Sequence, residues 1–224
     1  MPQTILSGVV GSQAYGLATP ESDIDTMSVH VEPTMNLLGI DKAPEPTIET
    51  KSPDSVSHEI GKFLYLSLQG NPNILEFLWL GVWIIERDFG DRLIDIREDF
   101  LSIQVRERYL GYAKNQFKKF ASGGRFSNVP ANRIEKNARH MLRLVQQGST
   151  IWETGTVEVR VENPGALRAE AEYIARGDNG AKYALSVIED AERFFDETPT
   201  NLPAEPRRDR AEALLADIRR AYMH

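Results

Sequence analysis

The sequence predicts an α+β protein, a small mixed-sheet head followed by an α-helical second half. Three observations carry this expectation. Within the first 90 residues, short apolar or period-two runs alternate with Gly, Pro and Asn turns, the pattern of strands mixed with short helices. From Asp91 onward the segments read as helix, separated by Gly and Pro breaks. Charge also changes along the chain: residues 1–100 carry a net −10, residues 101–143 a net +8 and residues 144–224 a net −5. The division falls near residue 100, with an α/β domain over 1–100 and a helical domain over 101–224.

Ile5-Leu6-Ser7-Gly8-Val9-Val10 reads as a short buried strand that ends at Gly11-Ser12. Ala14 to Pro20 is a compact turn region. Ser22 to Val31 alternates polar and apolar side chains, so it predicts a second strand with one wet face. Residues 32–53 are rich in Pro, Glu, Lys and Thr, which suits a long connection. Asp54 to Glu59 predicts a third strand leading into a helix over Ile60–Leu68, stopped by Gly70-Asn71-Pro72. Asn73 is the expected cap of a helix over Ile74–Leu78, and Val82–Ile85 the last strand. Helices are expected over 91–98, 101–121, 132–147, 164–176, 180–197 and 207–222. Gly123-Gly124, Gly148 and the stretch Pro199 through Pro206 are the expected breaks.

Composition excludes several classes. The chain has 224 residues, 41% hydrophobic and 26% charged, the balance of an ordinary globular protein. It has no cysteine, hence no disulfide framework, Cys-type zinc site or thiol nucleophile. The start, Met1-Pro2-Gln3-Thr4, lacks the basic and apolar runs of a signal peptide. The longest apolar stretch, Leu78 to Ile85, is about half a membrane span, so a soluble cytoplasmic protein is expected. The four histidines, His30, His58, His140 and His224, form no zinc-type pair. P-loop, dinucleotide and serine-hydrolase glycine motifs are missing from the sequence. A net charge of −7 argues against a general nucleic-acid coat, although the basic band over 101–143 suits either a solvated helix surface or a groove for phosphates.

The strongest local motif is Gly11-Ser12, then ten residues, then Asp23-Ile24-Asp25. Acids two apart on a strand share a face, so their carboxylates can converge on hard cations. Carboxylate oxygens suit Mg²⁺, which keeps waters and binds substrate phosphates; Mn²⁺ is the alternative. Gly11 lets backbone approach a phosphate closely and Ser12 adds a hydroxyl. Each fragment alone is common, but an apolar strand before Gly11 and an alternating strand after Ser22 supply a specific context.

Gly11-Ser12-Gln13-Ala14-Tyr15-Gly16-Leu17-Ala18 followed by Ser22-Asp23-Ile24-Asp25 resembles the signature of the DNA polymerase beta-like nucleotidyltransferase superfamily. More narrowly, the chain resembles its RNA-repair-pathway branch. Three further stretches carry that narrower resemblance: His58 to Leu64 running into Gly70 to Glu76; Gly111-Tyr112-Ala113 with Gln116; and Lys136 to Leu144 with Glu153-Thr154-Gly155. Together they span roughly residues 5–160.

The resemblance implies a polymerase-beta-like head that moves a nucleotidyl group from a nucleoside triphosphate, ATP among the candidates, to an acceptor hydroxyl. The acceptor it suggests is an RNA end, with tRNA one possibility. A small-molecule or protein acceptor is the alternative, and a non-catalytic nucleotide- or RNA-binding module a third. Asp23 and Asp25 match two of the superfamily's three carboxylates. Glu59 is the expected third, with Asp54 the alternative, on the opposite face of a regular strand. Gly11 and Ser12 would hold the β- and γ-phosphates. Lys136, His140 and Arg143 share one helix face. Their spacing alone also describes a solvated edge, and the resemblance selects a phosphate-binding face. Lys62 and Lys114 are weaker phosphate candidates, Tyr15 and Tyr112 possible base-stacking side chains. Glu76 sits at a capping-box position and reads as structural.

Overall fold

Ser22, rather than an acid, sets where the second strand starts. Its hydroxyl accepts from Thr19 N at 2.8 Å and its own N–H donates to Thr19 O at 2.9 Å, folding residues 19–22 into a turn. Strand β2 therefore begins only at Asp25, and Asp23 lies in the loop before it. The computed structural model describes residues 2–40, 43–52, 54–121 and 130–223.

Five strands form one mixed sheet in the order β3-β4-β2-β1-β5. They are β1 (Gln3–Val10), β2 (Asp25–Val31), β3 (Thr47–Lys51), β4 (Asp54–Glu59) and the two-residue β5 (Ile85–Glu86). β2 pairs antiparallel with β1 and parallel with β4, while β3 and β5 pair antiparallel at the two edges. Met27, Val29 and Val31 are buried, as period two requires. The other face of β2 is not wet throughout, because His30 is buried too. The 32–53 connection holds two elements the sequence does not announce: helix α2 (Thr34–Leu38) and β3. β3 is largely exposed, so it carries no apolar periodicity; its partner β4 makes it a strand.

Helix α1 (Gly11–Tyr15) starts where β1 ends and reaches only the first two residues of the expected turn region, Ala14 and Tyr15. α3 (Ile60–Leu68) follows β4, and α4 (Pro72–Leu78) follows with Pro72 in its first turn. The cap of α4 is Asn71, whose side chain accepts from Asn73 N at 3.1 Å, so Asn73 is inside the helix. α5 (Asp88–Asp95) and a 3₁₀ turn (Arg97–Phe100) replace the single helix expected over 91–98.

The chain divides into two compact units, Met1–Ser102 with Glu205–His224, and Ile103–Ala204. The second unit holds α6 (Gln104–Ala121), α7 (Ala131–Thr154), α8 (Pro164–Ile174) and α9 (Asp178–Glu197). α7 does not break at Gly148. A Cβ there would stand 2.8 Å from Tyr109 Cβ, so the glycine admits α6 rather than ending the helix. Leu110, Trp152, Ala191 and Phe195 form a core cluster, with the Trp152 and Phe195 rings edge to face at 5.2 Å. The expected Gly123-Gly124 break lies outside the described residues.

α10 (Arg208–Ala221) belongs to the first unit, where Ala211, Leu214 and Ile218 are buried. Thr34 takes part from the sheet side: its N–H donates to Tyr222 O at 2.7 Å and its hydroxyl to Arg219 O at 2.8 Å. The head is thus built from both ends of the sequence, a discontinuity that a single boundary near residue 100 does not express.

Candidate active site

β1 ends at Val10, directly opposite Asp25 in the antiparallel register. The next residue, Gly11, turns the chain into α1 at φ +69°, in the left-handed region. A Cβ on Gly11 would stand 2.5 Å from Asp25 Oδ2. The missing side chain is therefore what leaves room for the Asp25 carboxylate beside the Gly11-Ser12 turn. Asp25 is half-buried and Asp23 exposed.

The parallel register between β2 and β4 locates the remaining acids. Thr26 pairs with Ser55 and His30 with Glu59. One step back from Thr26 and Ser55, Asp25 and Asp54 head their two strands side by side. Residues aligned across neighbouring strands share a face at roughly 4.8 Å spacing. Glu59 instead stands five residues along from Asp54, roughly 16 Å at 3.3 Å per residue, and on the other face. No single cation spans that distance. Glu59 has other partners: it is buried, its Oε2 accepts from Gly61 N at 2.7 Å at the start of α3, and Arg219 of α10 meets both its oxygens at 2.7 and 2.9 Å. The geometry thus separates Glu59 from Asp23 and Asp25 and brings the alternative, Asp54, beside Asp25. The reason is register: the strand end that opens the next helix lies at the far end of a parallel pair.

Among the described residues no three His, Asp or Glu side chains converge to hold a metal ion by themselves. Mg²⁺ is commonly held by one or two carboxylates together with substrate phosphate oxygens. Two aspartates heading adjacent strands next to a glycine turn fit that donor set.

Other expected residues fall into structural roles. Tyr15 donates its hydroxyl to Glu76 Oε2 at 2.6 Å, and Glu76 is buried. With Asn71 as the cap, Glu76 is too far along α4 to close a capping box. Its structural role is to anchor α1 through Tyr15. Lys114 pairs with Glu192 of α9. Lys62 lies 5.4 Å from the Tyr65 ring centroid on its own helix. Tyr112 is half-buried on α6.

On the basic helix, His140 and Arg143 come together. Arg143, only 3% exposed, places Nη2 3.2 Å from His140 Nδ1. Lys136 is exposed one turn earlier. Burial, then the charges of Arg143, Lys119 and Lys136, push the His140 imidazole down to about 3. Lys119, at the end of α6, is the member that spacing along one helix does not reveal; the basic band over 101–143 was its only signal.

A model of the RNA repair pathway DNA polymerase beta family matches residues 2–175, and the chain belongs to that family. The match ends just past α8, leaving α9 and α10 outside it. The family is one of polymerase-beta-like nucleotidyltransferases linked to an RNA repair pathway. An uncharacterized 38.9 kDa protein from the nrdC-mobD intergenic region of Enterobacteria phage T4 is 26% identical over 175 residues, covering 70% of this chain and 49% of that protein. The chain thus spans about half the length of that curated relative. No helix among the described residues is long and apolar enough to cross a membrane.

Proposed function

We propose that the protein transfers a nucleotidyl group from a nucleoside triphosphate to a hydroxyl at an RNA end. The observation that carries this is the Gly11-Ser12 turn packed on Asp25, with Asp54 heading the next strand. Asp25 and Asp54, together with phosphate oxygens of the donor, would hold Mg²⁺ or Mn²⁺, which would supply charge neutralisation at the reacting phosphate when bound. The Gly11-Ser12 backbone and the Ser12 hydroxyl bind the β- and γ-phosphates. The acceptor oxygen attacks the α-phosphorus, the bond to the β-phosphate oxygen breaks, and pyrophosphate leaves. The proton of the attacking hydroxyl passes to a carboxylate oxygen of Asp54, which stands exposed at the edge of the pair. Lys136, His140 and Arg143 serve phosphate binding on the second unit.

The test is incubation of the full chain with each α-labelled nucleoside triphosphate, Mg²⁺ and total cellular RNA. Label in RNA supports the reading, and sensitivity of that label to Asp25→Asn ties it to this site. Label in protein or in a small-molecule fraction moves the acceptor to another class. Label in no fraction with any of the four nucleotides would overturn the proposal.

A further inference from the structure

His140 sits among three cations: Arg143 and Lys136 on its own helix and Lys119 on α6. Its contact with Arg143 has a directional consequence. The guanidinium carries five N–H donors and no acceptor, and its Nη2 is 3.2 Å from Nδ1 of the ring. Nδ1 must therefore be the acceptor. In a neutral imidazole the single proton then sits on Nε2. A second proton, on Nδ1, would point at an N–H of Arg143 and put a fourth positive charge in the cluster.

We propose that His140 serves a bound phosphate on the second unit as an uncharged Nε2–H hydrogen-bond donor whose tautomer is set by Arg143, in a phosphate site that also draws on Lys119. This rests on the reading of the α7 face as phosphate-binding. The division of labour follows from the side chains. Lysine and arginine supply charge, with little demand on direction for lysine. A neutral imidazole supplies one directed hydrogen bond and adds no charge. The depressed imidazole pKa, about 3, agrees with this, with burial the leading cause and the three cations following. A phosphate recognised this way keeps its affinity across the pH range where an ordinary histidine gains a proton. A histidine acting as a cation would instead bind more tightly as pH falls through its pKa.

Two measurements on the full chain test the proposal. Nitrogen-15 NMR of the side-chain imidazoles should show His140 as the Nε2–H tautomer, with no titration between about pH 5 and 8. An Nδ1–H tautomer, or titration near the ordinary histidine value, overturns it. Titration calorimetry with MgATP should then give an affinity for the wild type that His140 does not make pH-dependent over that range. His140→Gln, whose amide N–H can still donate, should bind within about 3-fold of wild type, and His140→Ala about 10- to 100-fold more weakly. Lys119→Gln should weaken binding several-fold without changing the tautomer. Equal losses in His140→Gln and His140→Ala would overturn the donor role even with the tautomer as expected. If the wild type binds no MgATP, the nucleotide reading fails and His140 loses its ligand, while the NMR result separately decides whether Arg143 sets the tautomer.

Discussion

Arg219 closes both terminal nitrogens of its guanidinium on the two carboxylate oxygens of Glu59, at 2.7 and 2.9 Å. The partners lie 160 residues apart, Arg219 on the last helix and Glu59 at the junction of β4 and α3. A bidentate pair of this kind fixes orientation as well as charge. It joins α10 to the strand whose other end carries Asp54.

Arg219→Ala should accordingly destabilise the protein by about 3–5 kcal/mol, because it leaves a buried carboxylate without its counter-charge. Glu59→Gln should cost less, since the amide oxygen can still accept from Gly61 N. Urea unfolding of both variants measures this. Glu59→Gln should also keep nucleotidyl transfer within a few-fold of wild type. A variant that folds normally but has lost turnover would return Glu59 to the catalytic set.

Asp25→Asn and Asp54→Asn should each lower transfer about 100-fold or more, the scale of removing one preorganised electrostatic group. Neither should disturb folding much, since Asp54 is exposed and Asp25 half-buried. Circular dichroism melts alongside the label-incorporation assay separate the two effects. Wild-type turnover in Asp54→Asn would remove it from the acidic set.

How far the sequence could be read follows from which interactions are local. The alternation of Met27, Val29 and Val31 and the Gly11-Ser12…Asp25 motif are local patterns, and they located β2 and the turn. Which of Glu59 and Asp54 stands beside Asp25 follows from the parallel register of two strands separated by more than twenty residues, which no spacing along the chain encodes. β3 was invisible because an edge strand such as Thr47–Lys51 buries almost nothing. α10 was legible as a helix, yet not as part of the head, since Arg219 and Thr34 meet only in the folded chain. Gly148 misled because a helix-breaking residue can equally be a packing residue.

Gly11→Ala tests the turn independently of charge. At φ +69° an alanine costs about 1–2 kcal/mol for its left-handed conformation. Its Cβ, placed 2.5 Å from Asp25 Oδ2, would also push the carboxylate aside. Transfer should fall about as far as in Asp25→Asn, although no ionisable group has been touched. Thermal melts should show only the modest backbone penalty. An alanine variant with normal turnover would mean that the approach of the turn to Asp25 plays no part in the chemistry.

The last expectation concerns acid stability. His140 titrates at about 3 in the folded chain, whereas an unfolded histidine titrates near 6.5. Between those values the unfolded state binds the extra proton, so stability rises with pH. The contribution is fully present above about 6.5 and is lost progressively as pH falls toward 3. The slope from this one group is at most about 1.4 kcal/mol per pH unit. His30 and His58, both lowered first by burial, act in the same direction within the first unit. His140→Gln removes the second unit's share. Its urea-unfolding free energy should depend less on pH than that of the wild type between about pH 6.5 and 4, with the difference concentrated in the transition that reports on Trp152. Parallel pH curves for the two proteins would mean that His140 accepts its proton in the folded state as readily as in the unfolded one, and the half-buried histidine beside Arg143 would not be neutral.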